Sequence, residues 1–110
     1  MDDDDEWPPR ENRVRAALWD AERAIERREY LVVTSRLADV FGLGGEQEQL
    51  VRGLHHLGAA GYRAQAGEPL RARRQLERAR RRLAAFPDAA LLIDLVARDI
   101  ESAGGELAEP

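Results

Sequence analysis

Apolar residues recur every three or four positions through most of the chain, which is the spacing that places side chains on one face of an α-helix. These positions are Val14, Leu18, Ala21 and Ile25 in residues 11–29, and Tyr30, Val33, Leu37 and Val40 in residues 30–41. The second segment contains the β-branched run 32–34, which alone would suit a strand. Because no second strand signal is present to pair with it, the pattern predicts two helices.

Glycine and proline divide the rest of the chain into three more helical segments. The breaks lie at residues 42–45, 67–69 and 86–88. We expect helices over residues 46–65 and 69–85, and a fifth helix that ends at Gly104 and Gly105. The expected core positions are Ala72, Leu76, Ala79 and Leu83 in the fourth helix, and Leu91, Leu92, Leu95, Val96 and Ile100 in the fifth.

The length of 110 residues, with 44% apolar and only 5% aromatic residues, is typical of one tightly packed helical domain. We therefore predict an all-α fold, a compact bundle of about five short antiparallel helices over residues 11–104. Residues 1–10 are predicted to be a disordered acidic tail that also holds a tryptophan and two prolines, because five consecutive acids cannot bury a core. Residues 105–110 are predicted to be a frayed terminus.

The third helix carries three glycines, Gly53, Gly58 and Gly61, inside an otherwise helical pattern. Each costs a helix about 1 kcal/mol relative to alanine, so three of them indicate that a neighbouring backbone packs unusually close. The neighbour could belong to the same chain or to a second copy in a homo-oligomer, and the sequence does not choose between them.

Composition limits the function classes. The chain has no cysteine, so disulfides and thiolate chemistry are excluded. It has no apolar run near the roughly 18 residues that cross a bilayer, and it begins with acids rather than a secretory signal, so a soluble cytoplasmic protein with no membrane contact is expected. All 17 basic side chains are arginine, which suggests a GC-rich prokaryotic genome.

Candidate catalytic groups are few. His55 and His56 are adjacent on a helix and point about 100° apart, so they cannot hold one ion from the same face. Ser35 and Ser102 lack a nucleophile-elbow context, and the glycines of residues 42–45 lack the lysine and the preceding strand of a phosphate loop. We expect no cofactor, no metal and no catalytic residue. An enzyme would need a metal or acid-base site formed by residues that no motif indicates, such as His55 with Asp39.

Residues 52–54, 57–62 and 76–83, with Gly67, Ala72 and Arg73 between them, resemble the second half of a small bacterial and archaeal family, domain of unknown function 309. The likeness covers roughly residues 12–85. It implies a helical fold and a His-x-x-x-Glu-x-x-Trp or Tyr motif suspected of binding metal.

This chain departs from that family where the motif would lie. The three motif positions are occupied by Thr34, Ala38 and Phe41, and the family's Tyr-His pair is replaced by Tyr62 and Arg63. We therefore expect any metal-dependent activity of the family to be lost. The interior-facing side chains at 34, 38 and 41, with Tyr62 opposite, could line a small apolar pocket or simply fill core.

The fourth helix concentrates positive charge. Residues 63–82 hold eight arginines against two glutamates, a net charge of +6 in a chain whose total is −4. One face of this helix, opposite its apolar stripe, forms a possible anion-binding stripe of Arg71, Arg74, Arg78, Arg81 and Arg82. Three anions could offset it: the chain's own acidic tail or neighbouring helices, an acidic partner protein, or nucleic acid. The net negative charge, the absence of lysine and the scarcity of aromatic residues argue against nucleic acid.

We expect a non-enzymatic helical module that binds a protein or a small ligand. The alternatives are a metal-dependent enzyme of unknown reaction and a nucleic-acid-binding protein that uses the arginine-rich helix.

Overall fold

The computed structural model describes the backbone of residues 9–108 and the side chains of residues 11–104. This part of the chain forms five α-helices and no strand, which confirms the predicted all-α bundle. The helices are α1 (Pro9–Glu26), α2 (Tyr30–Ala38), α3 (Glu48–Gln65), α4 (Pro69–Leu83) and α5 (Ala90–Ala108). Short 3-10 turns, Gly45–Gln47 and Pro87–Ala89, precede α3 and α5.

Helix α3 is the centre of the bundle. It packs against α4, α2 and α5 and also touches α1, while α1 closes the core through α2 and α5. The largest fully buried side chains come from α1, α2, α3 and α5: Tyr30, Ile25, Leu37, Leu54, Leu57, Val33, Val51 and Val96. Each such side chain contributes about 1.5–3 kcal/mol through burial, so the amphipathic periods seen in the sequence are the main source of stability.

The glycines of α3 allow side chains of other helices to approach its backbone closely. A Cβ atom at Gly53 would lie 2.5 Å from Cδ2 of Leu83, and one at Gly58 would lie 2.6 Å from Cγ1 of Val33. Gly61 lies against the ring of Tyr30. The approaching groups are side chains rather than the backbone we expected, and all three contacts lie within one chain.

Two helices end in the same hydrogen-bond pattern, which turns the chain sharply. After α1 the N–H of Glu29 donates to the carbonyl of Ala24 at 2.8 Å and that of Arg28 to Ile25 at 3.0 Å. This Schellman arrangement requires a left-handed residue, and here Arg28 takes it with φ of +61°. Gly67 does the same after α3, with φ of +77°.

Some predicted boundaries and core positions are wrong. Helix α2 ends at Ala38, so Phe41 lies in the following turn rather than in the helix. Helix α5 continues through Gly104 and Gly105, which were predicted to stop it. Leu91 was assigned to the core but is 76% exposed, because the buried face of α5 follows Leu92, Val96 and Ile100.

The predicted termini fall largely outside the described residues. Of the tail predicted over residues 1–10, only residues 9 and 10 are described, and they form the first turn of α1. Of the frayed terminus predicted over residues 105–110, residues 105–108 are helical. Within residues 9–108 no helix combines the length and the apolar character needed to cross a membrane.

Candidate functional site

An open groove runs between α3 and α4, and arginines form one of its walls. Helix α4 contributes Arg78, Arg81 and Arg82. The facing wall consists of Glu46 together with Gln49 and His56 of α3. The chain after α4 contributes Ala84, Ala85 and the half-buried Phe86, which give one end of the groove an apolar lining.

The direction of the two helices sets the order of groups along the groove. Arg82 donates from Nη1 to Oε1 of Gln49 at 3.1 Å, near the start of α3. Farther along α3, Nδ1 of His56 lies 2.8 Å from Oε1 of Gln75. The helices are therefore antiparallel, and the groove passes from the apolar end at Phe86 to Arg82 and then toward His56.

Most of the groove's positive charge has no internal counter-ion. Arg81 lies 3.8 Å from Glu77, and both side chains are more than 70% exposed, so this pair is weak. Neither Arg78 nor Arg82 forms an ion pair with any residue in the described part of the chain. Glu46 is the one acid among the described residues that lines the groove. The groove thus offers three guanidinium groups against one carboxylate.

His56 adds a polar group of defined orientation. The amide oxygen of Gln75 only accepts hydrogen bonds, so His56 donates from Nδ1. Nε2 is then the nitrogen left to accept a hydrogen bond from a bound molecule.

The remaining arginines of the predicted stripe lie outside the groove. Arg71 is held by Glu68 at 2.9 Å, one turn away. Arg74 is exposed and does not line the groove. Of the five arginines in the predicted anion-binding stripe, three therefore line the groove and two do not. Sequence spacing could place all five on the outside of α4, but only the position of α3 decides which of them border a groove.

A second polar cluster stabilises the turn before α3. The carboxylate of Glu48 accepts the backbone N–H of Gly42 at 3.0 Å and that of Gly44 at 2.9 Å, and it pairs with Arg52 at 2.8 Å. The hydrogen bond from Gly42, followed by the one from Arg52, has the largest effect in lowering the pKa of Glu48. The glycine amides that a phosphate loop would offer to its ligand are thus occupied by the chain's own carboxylate.

Aromatic contacts extend this cluster toward His55. The Arg52 guanidinium lies 4.0 Å from the centre of the Phe41 ring, and the His55 ring meets the same phenyl group edge-on at 4.8 Å. Burial, followed by the charges of His56 and Arg52, lowers the pKa of His55. His55 therefore packs against Phe41 in surroundings that favour its neutral form. Asp39, its suggested catalytic partner, is exposed, and its charge does not contribute to the pKa shift of His55.

The positions that match the motif of family 309 do not gather into an apolar pocket. Thr34 is half-buried and donates to the carbonyl of Leu31 at 3.1 Å, but Ala38 is exposed and Tyr62 is 39% exposed. The expectation that Ala38 faces the interior is wrong, because α2 ends there and turns its last residue outward. Arg63 pairs with Glu68 at 3.0 Å. No group of three histidine, aspartate or glutamate side chains suited to a metal occurs among the described residues.

Tyr30 lies in the core as its position in the apolar pattern indicates, but its hydrogen bond to Asp99 was not predicted from the sequence. Tyr30 is 1% exposed, and its hydroxyl donates to Oδ2 of Asp99 at 2.7 Å. Asp99 also accepts Nη2 of Arg28 at 3.1 Å. Burial and then the bond to Asp99 raise the pKa of Tyr30 above its ordinary value, so the phenol remains protonated and joins α2 to α5. The available signal was an acid at position 99, within the apolar stripe of α5.

Comparison of the chain with protein-family models, with curated proteins and with solved structures gave no match. The resemblance to family 309 stays a prediction.

Proposed function

We propose that this chain is a non-enzymatic binding module and that the groove between α3 and α4 receives an acidic segment of a partner protein. The observation that supports this most directly is the pair Arg78 and Arg82, which border a concave surface without an ion pair to any described residue. Arg74, Arg78 and Arg82 also repel one another at i,i+4 spacing, by a few tenths of a kcal/mol per pair. A bound anion would remove that repulsion.

The residues that line the groove favour a peptide over a polyphosphate as its ligand. Arg71 and Arg74, which would extend a basic track along α4, lie outside it, and Arg71 is already paired. Glu46 would repel a continuous phosphate backbone, whereas Phe86 and the two alanines can pack against an apolar side chain of a peptide. Three exposed arginine contacts of up to about 1 kcal/mol each would raise affinity roughly a hundredfold over a neutral peptide.

The proposal assigns no role to the motif positions of family 309 and does not depend on membership of that family. It also assigns no catalytic residue. Within the described structure the hydroxyl of Thr34 donates to a backbone carbonyl, His55 packs on Phe41, and His56 is bonded to Gln75.

Fluorescence anisotropy with a labelled hexaglutamate peptide tests the proposal, with hexaglutamine as the neutral comparison. We expect Arg78→Glu to weaken hexaglutamate binding about tenfold, and raising NaCl from 50 to 300 mM to weaken it further. The charge reversal should not unfold α4, because Arg78 has Arg74 and Arg82 one turn away and a glutamate there removes repulsion. Circular dichroism checks this.

Arg80→Glu is the matched control. Arg80 lies on the same helix and is exposed, but it does not line the groove. Binding should change less than twofold in this variant. If both reversals weaken hexaglutamate equally, the attraction is a general field of α4 and the groove is not the site. If a 12-nucleotide RNA binds more tightly than the peptide and loses affinity with Arg78→Glu, the nucleic-acid alternative replaces this proposal.

A further inference from the structure

The end of the groove that holds Glu46 adjoins a second hollow beside the start of α1. This hollow of about 450 Å³ is lined by Glu11, Val14 and Arg15 of α1 and by residues 43–47. Glu46 lines both this hollow and the groove. The first turns of α1 therefore lie near the end of the groove that holds Glu46, and the sequence joins residues 1–8 to the first residue of α1.

The segment before α1 is long enough to follow the groove. Eight residues in extended form reach up to about 28 Å. The distance along α3 from Glu46 to His56, ten residues at 1.5 Å each, is about 15 Å. Five or six extended residues therefore cover the whole length of the groove.

Charge and residue order also match. Going backward from α1, the chain presents Trp7 first and then five consecutive acids, residues 6 to 2. From the same end the groove presents Phe86 with two alanines first, and then the arginines of α4. An apolar residue would meet the apolar end, and the acids would meet the unpaired guanidinium groups.

We propose that residues 2–7 of this chain occupy its own groove, with the acids on Arg78, Arg81 and Arg82 and Trp7 near Phe86. The segment acts as a tethered competitor, so that an acidic partner must displace it. The competitor role rests on the proposed function, but the contact between segment and groove does not. A short tether gives an effective concentration in the millimolar range, so a segment with a dissociation constant of about 1 mM would lower the apparent affinity of an external peptide about three- to tenfold.

The test compares the natural chain with a neutral-segment variant in which Asp2, Asp3, Asp4 and Asp5 become Asn and Glu6 becomes Gln. This change lies outside the described helices, so it should leave the bundle folded. With no ligand added, we expect amide chemical shifts of Arg78, Arg82 and Phe86 to differ between the two chains at 50 mM NaCl, and the difference to disappear at 500 mM NaCl. In the anisotropy assay the neutral-segment variant should bind hexaglutamate three- to tenfold more tightly.

Each outcome separates the two proposals. If both chains bind hexaglutamate equally and the groove shifts are identical, the segment does not occupy the groove and the proposed function stands. If neither chain binds hexaglutamate but the groove shifts differ, the contact stands and the partner-binding function fails. Absence of both effects overturns both proposals. Shift differences that grow between 20 μM and 1 mM protein would show a second copy's segment in the groove, which also overturns occupation by the chain's own segment.

Discussion

Gly58 provides the sharpest test of how α2 and α3 pack. A Cβ atom there would lie 2.6 Å from Cγ1 and 2.7 Å from Cβ of Val33, whereas carbon atoms in ordinary contact are about 3.5–4.0 Å apart. Val33 is fully buried and β-branched, so it cannot rotate away within α2. In Gly58→Ala the two helices must therefore separate by about 1 Å.

Two opposing terms set the size of the effect. Alanine gains about 1 kcal/mol over glycine inside a helix, whereas an overpacked core costs about 1–3 kcal/mol. Because the contact involves the stiff, buried base of a side chain, we expect the upper end of the cost and a net loss of about 2 kcal/mol. For a domain of this size the midpoint of thermal unfolding would fall by about 8–16 °C.

Urea unfolding followed by circular dichroism measures this loss, and Gly104→Ala is the control. Gly104 also lies inside a helix, but its added Cβ would meet the far end of the Arg73 side chain at 3.1 Å and would lie in ordinary contact with Cβ of Pro69 at 3.9 Å. The variant should therefore gain about 0.5–1 kcal/mol. Adding Val33→Ala to Gly58→Ala should recover at least about 1 kcal/mol relative to the sum of the single changes. A Gly58→Ala variant as stable as Gly104→Ala would refute the close approach of the two helices.

Three further predictions concern polar side chains that contact other parts of the chain. Tyr30→Phe removes the hydrogen bond to Asp99 and should lower the free energy of unfolding, measured by urea titration, by about 1–2 kcal/mol. An unchanged free energy of unfolding would contradict this hydrogen bond. Because the pKa of His55 is lowered in the folded chain, the unfolded chain takes up the proton first, so stability should fall as pH decreases below about 6.5. His55→Phe should reduce that fall between pH 7 and 5.5. Glu48, whose pKa is also lowered, stabilises the fold above its unfolded pKa of about 4.3 and loses this effect as pH falls further. Glu48→Gln should weaken this acid dependence and, through the lost Arg52 pair, cost about 1 kcal/mol at pH 7.

The local pattern of the sequence was sufficient for the fold class and for most helices. The three-to-four spacing identified the buried positions of α4, all four of which lie in the core. It was less accurate at ends, because the left-handed conformation that ends α1 was taken by Arg28, a residue that rarely adopts it. It also failed at Leu91, where two neighbouring leucines fit the pattern and only the placement of α5 selected Leu92.

The candidate site also combines features that the sequence predicted with features that only packing decided. The sequence by itself determined the concentration of arginine on α4, the glycines of α3 and the acids of residues 2–6, because these are properties of spacing and composition. Only the tertiary structure decided that Arg78 and Arg82 border a groove while Arg71 is paired, and that Tyr30 meets Asp99, 69 positions away. A helical period states which face of a helix is apolar, but which faces meet depends on packing between segments distant in sequence.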